Sequence, residues 1–79
     1  MTAKLSFRYE RDADILYISK CPEYPEQESQ ELGDDVIARL NPTTGEIESI
    51  EVLFFTNRLS QSDLLELPIE AELRPVTDK

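Results

Sequence analysis

The stretch VIARLNPTTGEIESIEVLFF, residues 36–55, decides the fold. Apolar and polar side chains alternate along residues 36–40 and again along residues 47–55, with the period of two that is typical of a half-buried strand. Between these segments, Pro42 pre-sets φ for a turn, and Gly45 accepts a positive φ at little steric cost. Because a connection this short joins neighbouring antiparallel strands, the stretch predicts a β-hairpin.

Alternation divides the side chains of these two strands between opposite faces. In the first strand, one face carries Val36, Ala38 and Leu40. In the second strand, one face carries Ile50, Val52 and Phe54, whereas on or near the other lie Ile47, Leu53 and Phe55. Since Phe54 and Phe55 are adjacent, we expect one in the core and the other under the C-terminal tail or in a subunit interface.

A second hairpin is predicted near the N-terminus, where residues 5–9 alternate and residues 14–19 are rich in β-branched and aromatic side chains. Three acids lie at every second position around its turn: Glu10, Asp12 and Asp14. We interpret them as structural turn residues, because Asp side chains bind nearby backbone N–H groups. A calcium loop would instead need glycine at its sixth position, where Ile15 stands. Asp14→Ala is therefore expected to lower stability through a lost backbone hydrogen bond.

Residues 20–35, KCPEYPEQESQELGDD, contain six acids and one base. Two prolines discourage regular structure, so an exposed acidic loop is predicted, although residues 27–32 alternatively extend the next strand. The candidate partner-binding residues within it are Glu23, Tyr24, Glu26, Glu28 and Glu31. Tyr24 either anchors a partner, as interface tyrosines often do, or folds back onto the sheet. Cys21 is interpreted as a small structural residue, because the surrounding acids would raise its pKa.

The C-terminal tail is predicted to begin with a short helical segment near residues 56–66, capped by Ser60 or Ser62. Its apolar stripe would come from Leu64, Leu65 and Leu67. Residues 69–74 alternate like a strand but are composed of good helix formers, so both interpretations stay open. Residues 76–79 are expected to form a frayed terminus.

Together these elements predict one small domain over residues 1–79. Its fold class is mainly β (α+β), an antiparallel meander of four to five strands with one short helix. A chain of this size buries a small core and has one cysteine and no histidine, so it lacks a disulfide or a typical zinc site to reinforce it. We therefore expect a homodimer, in which a second copy covers part of the sheet.

Composition excludes several functional classes. Eight Lys and Arg against seventeen Asp and Glu give a net charge of −9, which opposes binding to nucleic-acid phosphates. No apolar run approaches the ~20 residues of a membrane span, and the N-terminal residues lack the apolar segment of a signal peptide. A cytoplasmic protein is expected, which a lone thiol also suits. No catalytic residue, metal ligand or cofactor site is evident, and we expect no enzymatic activity.

Two motifs resemble a small bacterial family called domain of unknown function 2283, over about residues 5–59. The first hairpin is similar to that family's Y-D-x-x-x-D-x-L-Y-I opening through Tyr9, Glu10, Asp14, Leu16, Tyr17 and Ile18. The second hairpin matches at Asp35, Val36, Gly45, Ile50 and Glu51. The chain departs from the pattern at Glu10 and Arg11, where the family often has Asp and Pro, and at Ser49, which replaces a common Gly. The resemblance implies a β-meander with no established activity and an antitoxin-like role, and it carries over no catalytic residue.

Three functional hypotheses follow. The first is a protein-interaction module whose acidic segment binds a basic partner. The second is a self-associating structural domain without a ligand, motivated by the small core. The third is a carboxylate metal-binding protein that uses the three acids of the first turn.

Overall fold

The computed structural model describes residues 4–76, which form one five-stranded antiparallel sheet and one short helix. The elements in chain order are β1 Ser6–Glu10, β2 Ile15–Ser19, β3 Glu28–Gly33, β4 Val36–Leu40, β5 Ile47–Leu53 and α1 Phe55–Gln61. The predicted fold class, mainly β with four to five antiparallel strands and one short helix, is confirmed. Residues 77–79 of the expected frayed terminus lie outside the described residues.

The strands lie in the order β1-β2-β5-β4-β3 across the sheet. The β1–β2 hairpin and the β3–β4–β5 meander are each built from consecutive strands, and they join where β2 pairs with β5. The last strand in the chain is therefore the central strand of the sheet, while β1 and β3 are its edges.

The core lies on one face of the sheet, at the centre of its width. Val36 is paired with Val52, and Ala38 with Ile50, so their side chains share this face. Val36, Ala38 and Val52 are fully buried. Partly buried apolar side chains from both hairpins and from the tail pack against this centre: Leu16, Ile18, Leu32, Ile47, Phe55, Leu65, Leu67 and Ile69.

A β-bulge moves Ile47 to the core face, where alternation alone did not place it. Arg39 is paired with Ser49, but the next residue, Leu40, is paired with Ile47, so Glu48 is the extra residue of β5. Such an insertion shifts the facing of every residue that precedes it. Ile47 consequently packs with Ile50 on the same core.

The predicted facing of Phe54 and Phe55 was wrong, because β5 ends at Leu53. Phe54 has a left-handed backbone, with φ of 54°, which turns the chain out of the sheet and into α1. Its side chain is 55% exposed, whereas Phe55 packs against the core and lies 5.9 Å from the ring of Tyr9 between centroids. The reversal at Phe54 thus directs the tail beneath the apolar face.

The tail departs from prediction in two further respects. Helix α1 ends at Gln61, and the predicted caps fail, since Ser60 lies inside the helix and Ser62 is its C-cap. Residues 69–74 form neither the strand nor the helix considered for them. The tail nevertheless covers the sheet through Leu65, Leu67 and Ile69, because burial of apolar side chains does not require regular backbone structure.

The prediction of an acidic loop over residues 20–35 was wrong for the second half of that segment. Residues 20–27 form a loop, but Glu28–Gly33 is a separate strand that pairs with β4 rather than extending it. The two strands are connected by a tight turn in which Gly33, Asp34 and Asp35 all have positive φ. Short polar side chains and glycine are the residues that tolerate this backbone.

The opposite face of the sheet carries paired polar side chains near its centre. Glu51, although buried, accepts a hydrogen bond from Arg39 Nε at 3.0 Å, and its carboxylate lies 2.9 Å from a terminal nitrogen of Arg39 in an ion pair. One strand away, the guanidinium of Arg8 lies 4.2 Å from the ring centre of Tyr17. The charge of Glu51 is therefore paired where β5 is most enclosed, as a buried carboxylate requires. Among the described residues, no helix has the length and apolar character needed to span a membrane.

Val52→Ala is expected to lower the free energy of unfolding by about 2 kcal/mol, because it leaves a cavity at a fully buried position of the central strand. The control is Leu73→Ala, since Leu73 is 80% exposed. Urea unfolding measures both, and the control should change by less than about 0.5 kcal/mol. Equal losses in the two variants would contradict the position of the core.

Candidate functional site

The carboxylate of Asp14 connects the first hairpin to the start of α1. Asp14 Oδ1 accepts hydrogen bonds from the Tyr9 hydroxyl at 2.7 Å and from the Thr56 backbone N–H at 3.1 Å. Its Oδ2 accepts from the Thr56 hydroxyl at 2.9 Å, and its backbone carbonyl accepts from the Phe55 N–H at 3.1 Å. Phe54, the residue preceding the helix, has no polar side chain with which to cap it. Asp14 therefore supplies the capping hydrogen bonds instead.

The local sequence allows Asp14 to reach this position. It is the last residue of the turn before β2 and has a φ of 56°, a left-handed conformation that Asp tolerates better than most residues. The hydrogen bond from Tyr9, followed by those from Thr56, lowers the pKa of Asp14 below its ordinary value. The same bond to Asp14 raises the pKa of Tyr9. The site holds an ionised carboxylate at neutral pH.

The three acids of this hairpin do not form one cluster. Glu10 is the last residue of β1 rather than a turn residue, which corrects its predicted place, and it accepts a hydrogen bond from the Tyr17 hydroxyl at 3.1 Å. Asp12 is an exposed residue of the turn itself. Asp14 binds Tyr9 and Thr56, as described above. Within residues 4–76, no group of three or more acidic, Cys or His side chains is placed to hold a metal ion.

A second carboxylate, Glu48, holds the loop of residues 20–27 against the end of the sheet. Glu48 Oε1 accepts hydrogen bonds from the Tyr24 hydroxyl at 2.6 Å and from Gln27 Nε2 at 3.0 Å. Glu48 Oε2 accepts from Asn41 Nδ2 at 3.1 Å. Because Glu48 is the bulge residue of β5, its side chain is free to leave the strand alternation and collect these donors.

The donors around Glu48 change its acidity and theirs. Hydrogen bonds from Gln27, Tyr24 and Asn41, in that order of effect, lower the pKa of Glu48 to about 2. The bond to Glu48 raises the pKa of Tyr24 to about 12. Burial, with Glu48 nearby, raises the pKa of the Cys21 thiol. Cys21 is thus protonated at neutral pH, which disfavours a nucleophilic role.

The turn between β4 and β5 contains both residues predicted to form it, Pro42 and Gly45. Asn41 organises it, since Asn41 Oδ1 accepts from the N–H groups of Thr43 and Thr44 at 2.8 and 3.0 Å. Gly45 has a φ of 76°, and its N–H donates to the Asn41 carbonyl at 2.8 Å. The turn thereby presents Asn41 Nδ2 to Glu48 and links the hairpin to the preceding loop.

The five candidate partner-binding residues differ in how the fold uses them. Tyr24 is not a free anchor, because its hydroxyl is bound to Glu48 and its side chain follows the fold-back alternative. Glu23 lies 4.0 Å from the guanidinium of Arg39 across a shallow groove of about 320 Å³. The remaining three, Glu26, Glu28 and Glu31, are exposed. The structure therefore brings acids, but not the tyrosine, to the outer edge of the sheet.

Glu28 and Glu31 lie on the edge strand β3, where they face opposite sides of the sheet. Glu28 is paired with Leu40 and Glu31 with Ile37, and the two positions differ by an odd number of residues. Asp34 and Asp35 follow directly in the exposed turn. An extended acidic edge, rather than a loop, is the arrangement that this part of the chain offers to a partner.

Sequence reasoning missed Glu48 and its donors, Gln27 and Asn41. One indication was available: Ile47 precedes Ile50 by three positions, so a strand that buries both needs an extra residue between them. No comparable pattern indicates that Thr56 binds Asp14, because these residues are 42 positions apart.

Comparison with protein families identifies the chain. The family described as protein of unknown function, DUF2283, matches residues 6–55. The chain belongs to the DUF2283 family. The match covers all five strands and includes both Asp14 and Glu48, and it ends at the first residue of α1. No match was found among curated proteins or among solved structures.

Asp14→Gly is expected to lower the melting temperature by about 5 °C, because it removes the side-chain bonds to Tyr9 and Thr56 while glycine keeps the positive φ. Asp12→Gly adds the same backbone freedom to the same turn and is the matched control. Thermal unfolding followed by circular dichroism measures both. A loss in the control as large as that in Asp14→Gly would mean that only chain flexibility matters.

Glu48 is expected to make folding sensitive to acid. Its ordinary pKa is 4.5 and its folded pKa is about 2, so the ionised form stabilises the fold fully above about pH 4.5. That stabilisation is lost progressively as the pH falls toward about 2. Urea unfolding across this interval should show a shallower pH dependence for Glu48→Gln than for the unmodified chain. Parallel pH profiles would contradict the hydrogen-bonded role of this carboxylate.

Proposed function

We propose that this DUF2283 protein is an interaction module that binds a basic protein segment along the outer edge of β3. The observation that carries the proposal is an exposed edge strand with acids on both of its faces and at both of its ends. The proposal refines the expectation of an acidic binding loop, because half of that segment is a strand.

The backbone of β3 supplies the first part of the binding surface. In the described part of the chain, β3 pairs only with β4, so its other side presents unpaired backbone N–H and C=O groups. An extended segment of another protein can add to such an edge and continue the ladder of hydrogen bonds. These bonds provide affinity without requiring a particular side chain in the partner.

Charge supplies the selectivity. Glu28 and Glu31 extend to opposite faces of β3, Glu26 precedes the strand, and the adjacent turn carries Asp34 and Asp35. A strand that pairs here meets acids on both of its faces, so Lys or Arg residues at alternating positions fit best. The same acids repel the β3 edge of a second copy, which discourages unproductive pairing between identical chains.

The wider biochemical setting is part of the same proposal. We infer a non-enzymatic, cytoplasmic protein that binds neither nucleic acid nor membrane, in keeping with its charge of −9 and single cysteine. An antitoxin-like role, which the family resemblance implies, would make the partner a small basic toxin. Neutralisation by strand addition would then cover part of that partner's surface.

Charge reversal of the edge tests the proposal. The tagged chain and its double variant Glu28→Lys/Glu31→Lys are each used to capture proteins from a lysate of the native host, at low and at high salt. The control Glu70→Lys/Glu72→Lys makes the same change of net charge on exposed tail residues. We expect the unmodified chain and the control to capture a basic protein. The β3 variant should capture at least tenfold less of that protein.

The purified partner is then titrated against all three proteins. Its affinity should fall as salt rises, because the acids lie at the surface and are screened. Equal loss of binding in both charge-reversal variants would show that net charge, rather than β3, is recognised. Absence of any basic protein among the captured material would contradict the proposal.

A further inference from the structure

We infer that the opposite edge of the sheet, β1, pairs with β1 of a second copy of this chain about a two-fold axis that passes through Phe7. The two sheets then form one continuous ten-stranded sheet. This interface is separate from the acidic edge proposed above, so each can fail without the other. It also gives a location and a register to the homodimer expected from the size of the chain.

An uncovered apolar stripe marks this edge. On β1 and the residue before it, Leu5 is 50% exposed, Phe7 63% and Tyr9 41%, although alternation directs all three to the apolar face of the sheet. Phe7 and Tyr9 are paired with Ile18 and Leu16, both of which belong to the core. The stripe is therefore a continuation of the core that the tail does not cover.

Helix α1 extends the same surface. Phe55 contacts Tyr9, and Leu59 lies one helical turn further on the same side of the helix, with 48% of its surface exposed. A contiguous apolar patch of this kind is uncommon on a protein that acts alone. The backbone of β1 adds to it an open edge, since β1 pairs only with β2 among residues 4–76.

A second copy of β1 fits this edge in charge as well as in hydrophobicity. With the axis at Phe7, each Phe7 lies opposite its counterpart, and each Leu5 lies opposite Tyr9 of the second copy. On the other face, Lys4 lies opposite Glu10 of the second copy, and the symmetry produces this pair twice. Opposite charges and aromatic or aliphatic side chains are the cross-strand pairs that stabilise antiparallel strands.

Neighbouring registers fit less well. An axis at Ser6 would place Lys4 opposite Arg8, and an axis at Arg8 would place two Arg8 side chains opposite each other; like charges in these positions are destabilising. An axis at Tyr9 would place Phe7 opposite Arg11, a turn residue that cannot continue the ladder. An axis between two residues would direct the apolar stripe of one copy to the polar face of the other. The axis at Phe7 alone pairs the chain from Lys4 to Glu10.

Disulfide trapping tests both the dimer and its register. Phe7→Cys is made in a Cys21→Ser background, so that it carries the sole thiol. In the proposed register, the two Cα atoms at position 7 are roughly 4.5–5.5 Å apart, which is within the range of a disulfide. We expect most of the protein to form a covalent dimer on mild oxidation. The mass in solution of the unmodified chain, measured by light scattering, should also be that of a dimer.

Leu5→Cys in the same background is the matched control. It lies on the same face of the same strand, but the two copies of position 5 are roughly 13 Å apart in this register, too far for a disulfide. Comparable cross-linking at both positions, or preferential cross-linking at position 5, would overturn the register. A monomer mass for the unmodified chain at high concentration would overturn the interface itself.

A charge exchange provides a readout that does not depend on cysteine. Lys4→Glu and Glu10→Lys each place like charges opposite one another, so each is expected to weaken the dimer at least tenfold. The double variant restores opposite charges and should regain the dimer. Since Glu10 also binds Tyr17, circular dichroism of each variant verifies the fold. Weakening that the double variant does not reverse would contradict the proposed pairing.

Discussion

The bond between Asp14 and the start of α1 is the interaction on which the rest of the structure depends. The sheet has one apolar face, and the chain that leaves its central strand must turn back under that face to cover it. Phe54 supplies the reversal in the backbone, and Asp14 holds the first helical residues in place. Because Phe55 is anchored in this way, the irregular residues that follow can bury Leu65, Leu67 and Ile69. The segment that covers the core thereby needs little regular secondary structure of its own.

The acids of this protein divide into those that the fold uses and those that it leaves exposed. Asp14 and Glu48 are surrounded by donors and connect elements that are distant in sequence, whereas Glu51 is paired with arginine across one hairpin. Such carboxylates stabilise specific geometry because an ionised oxygen accepts stronger hydrogen bonds than a neutral one. The exposed acids on and beside β3 have no comparable structural role. This division is what allows the outer acids to be considered for recognition.

Much of the sheet could be predicted because alternation and turn chemistry act locally, as in residues 36–40 and the turn that contains Pro42 and Gly45. Strand β3 was less evident, since Glu, Ser and Gln have low strand preference and only pairing with β4 orders them. The candidate site was predicted in part: the acids at the edge were recognised, but the retention of Tyr24 by Glu48 depends on a bulge. Contacts such as Asp14 with Thr56 arise from tertiary structure and leave no local pattern.

The position of β5 at the centre of the sheet has a consequence for how the chain acquires its structure during synthesis. Among the five described strands, those of the first hairpin are synthesised first, but their neighbour in the sheet, β5, is synthesised after the other four. Until then, the hairpin's aromatic and aliphatic side chains have no partner on that side, and the nascent hairpin is only marginally stable. The β3–β4–β5 segment is by contrast local and can form as soon as it is complete. This strand order predicts that the sheet closes when β5 pairs with β2, and that a chain interrupted before β5 would leave the apolar side chains of the first hairpin exposed.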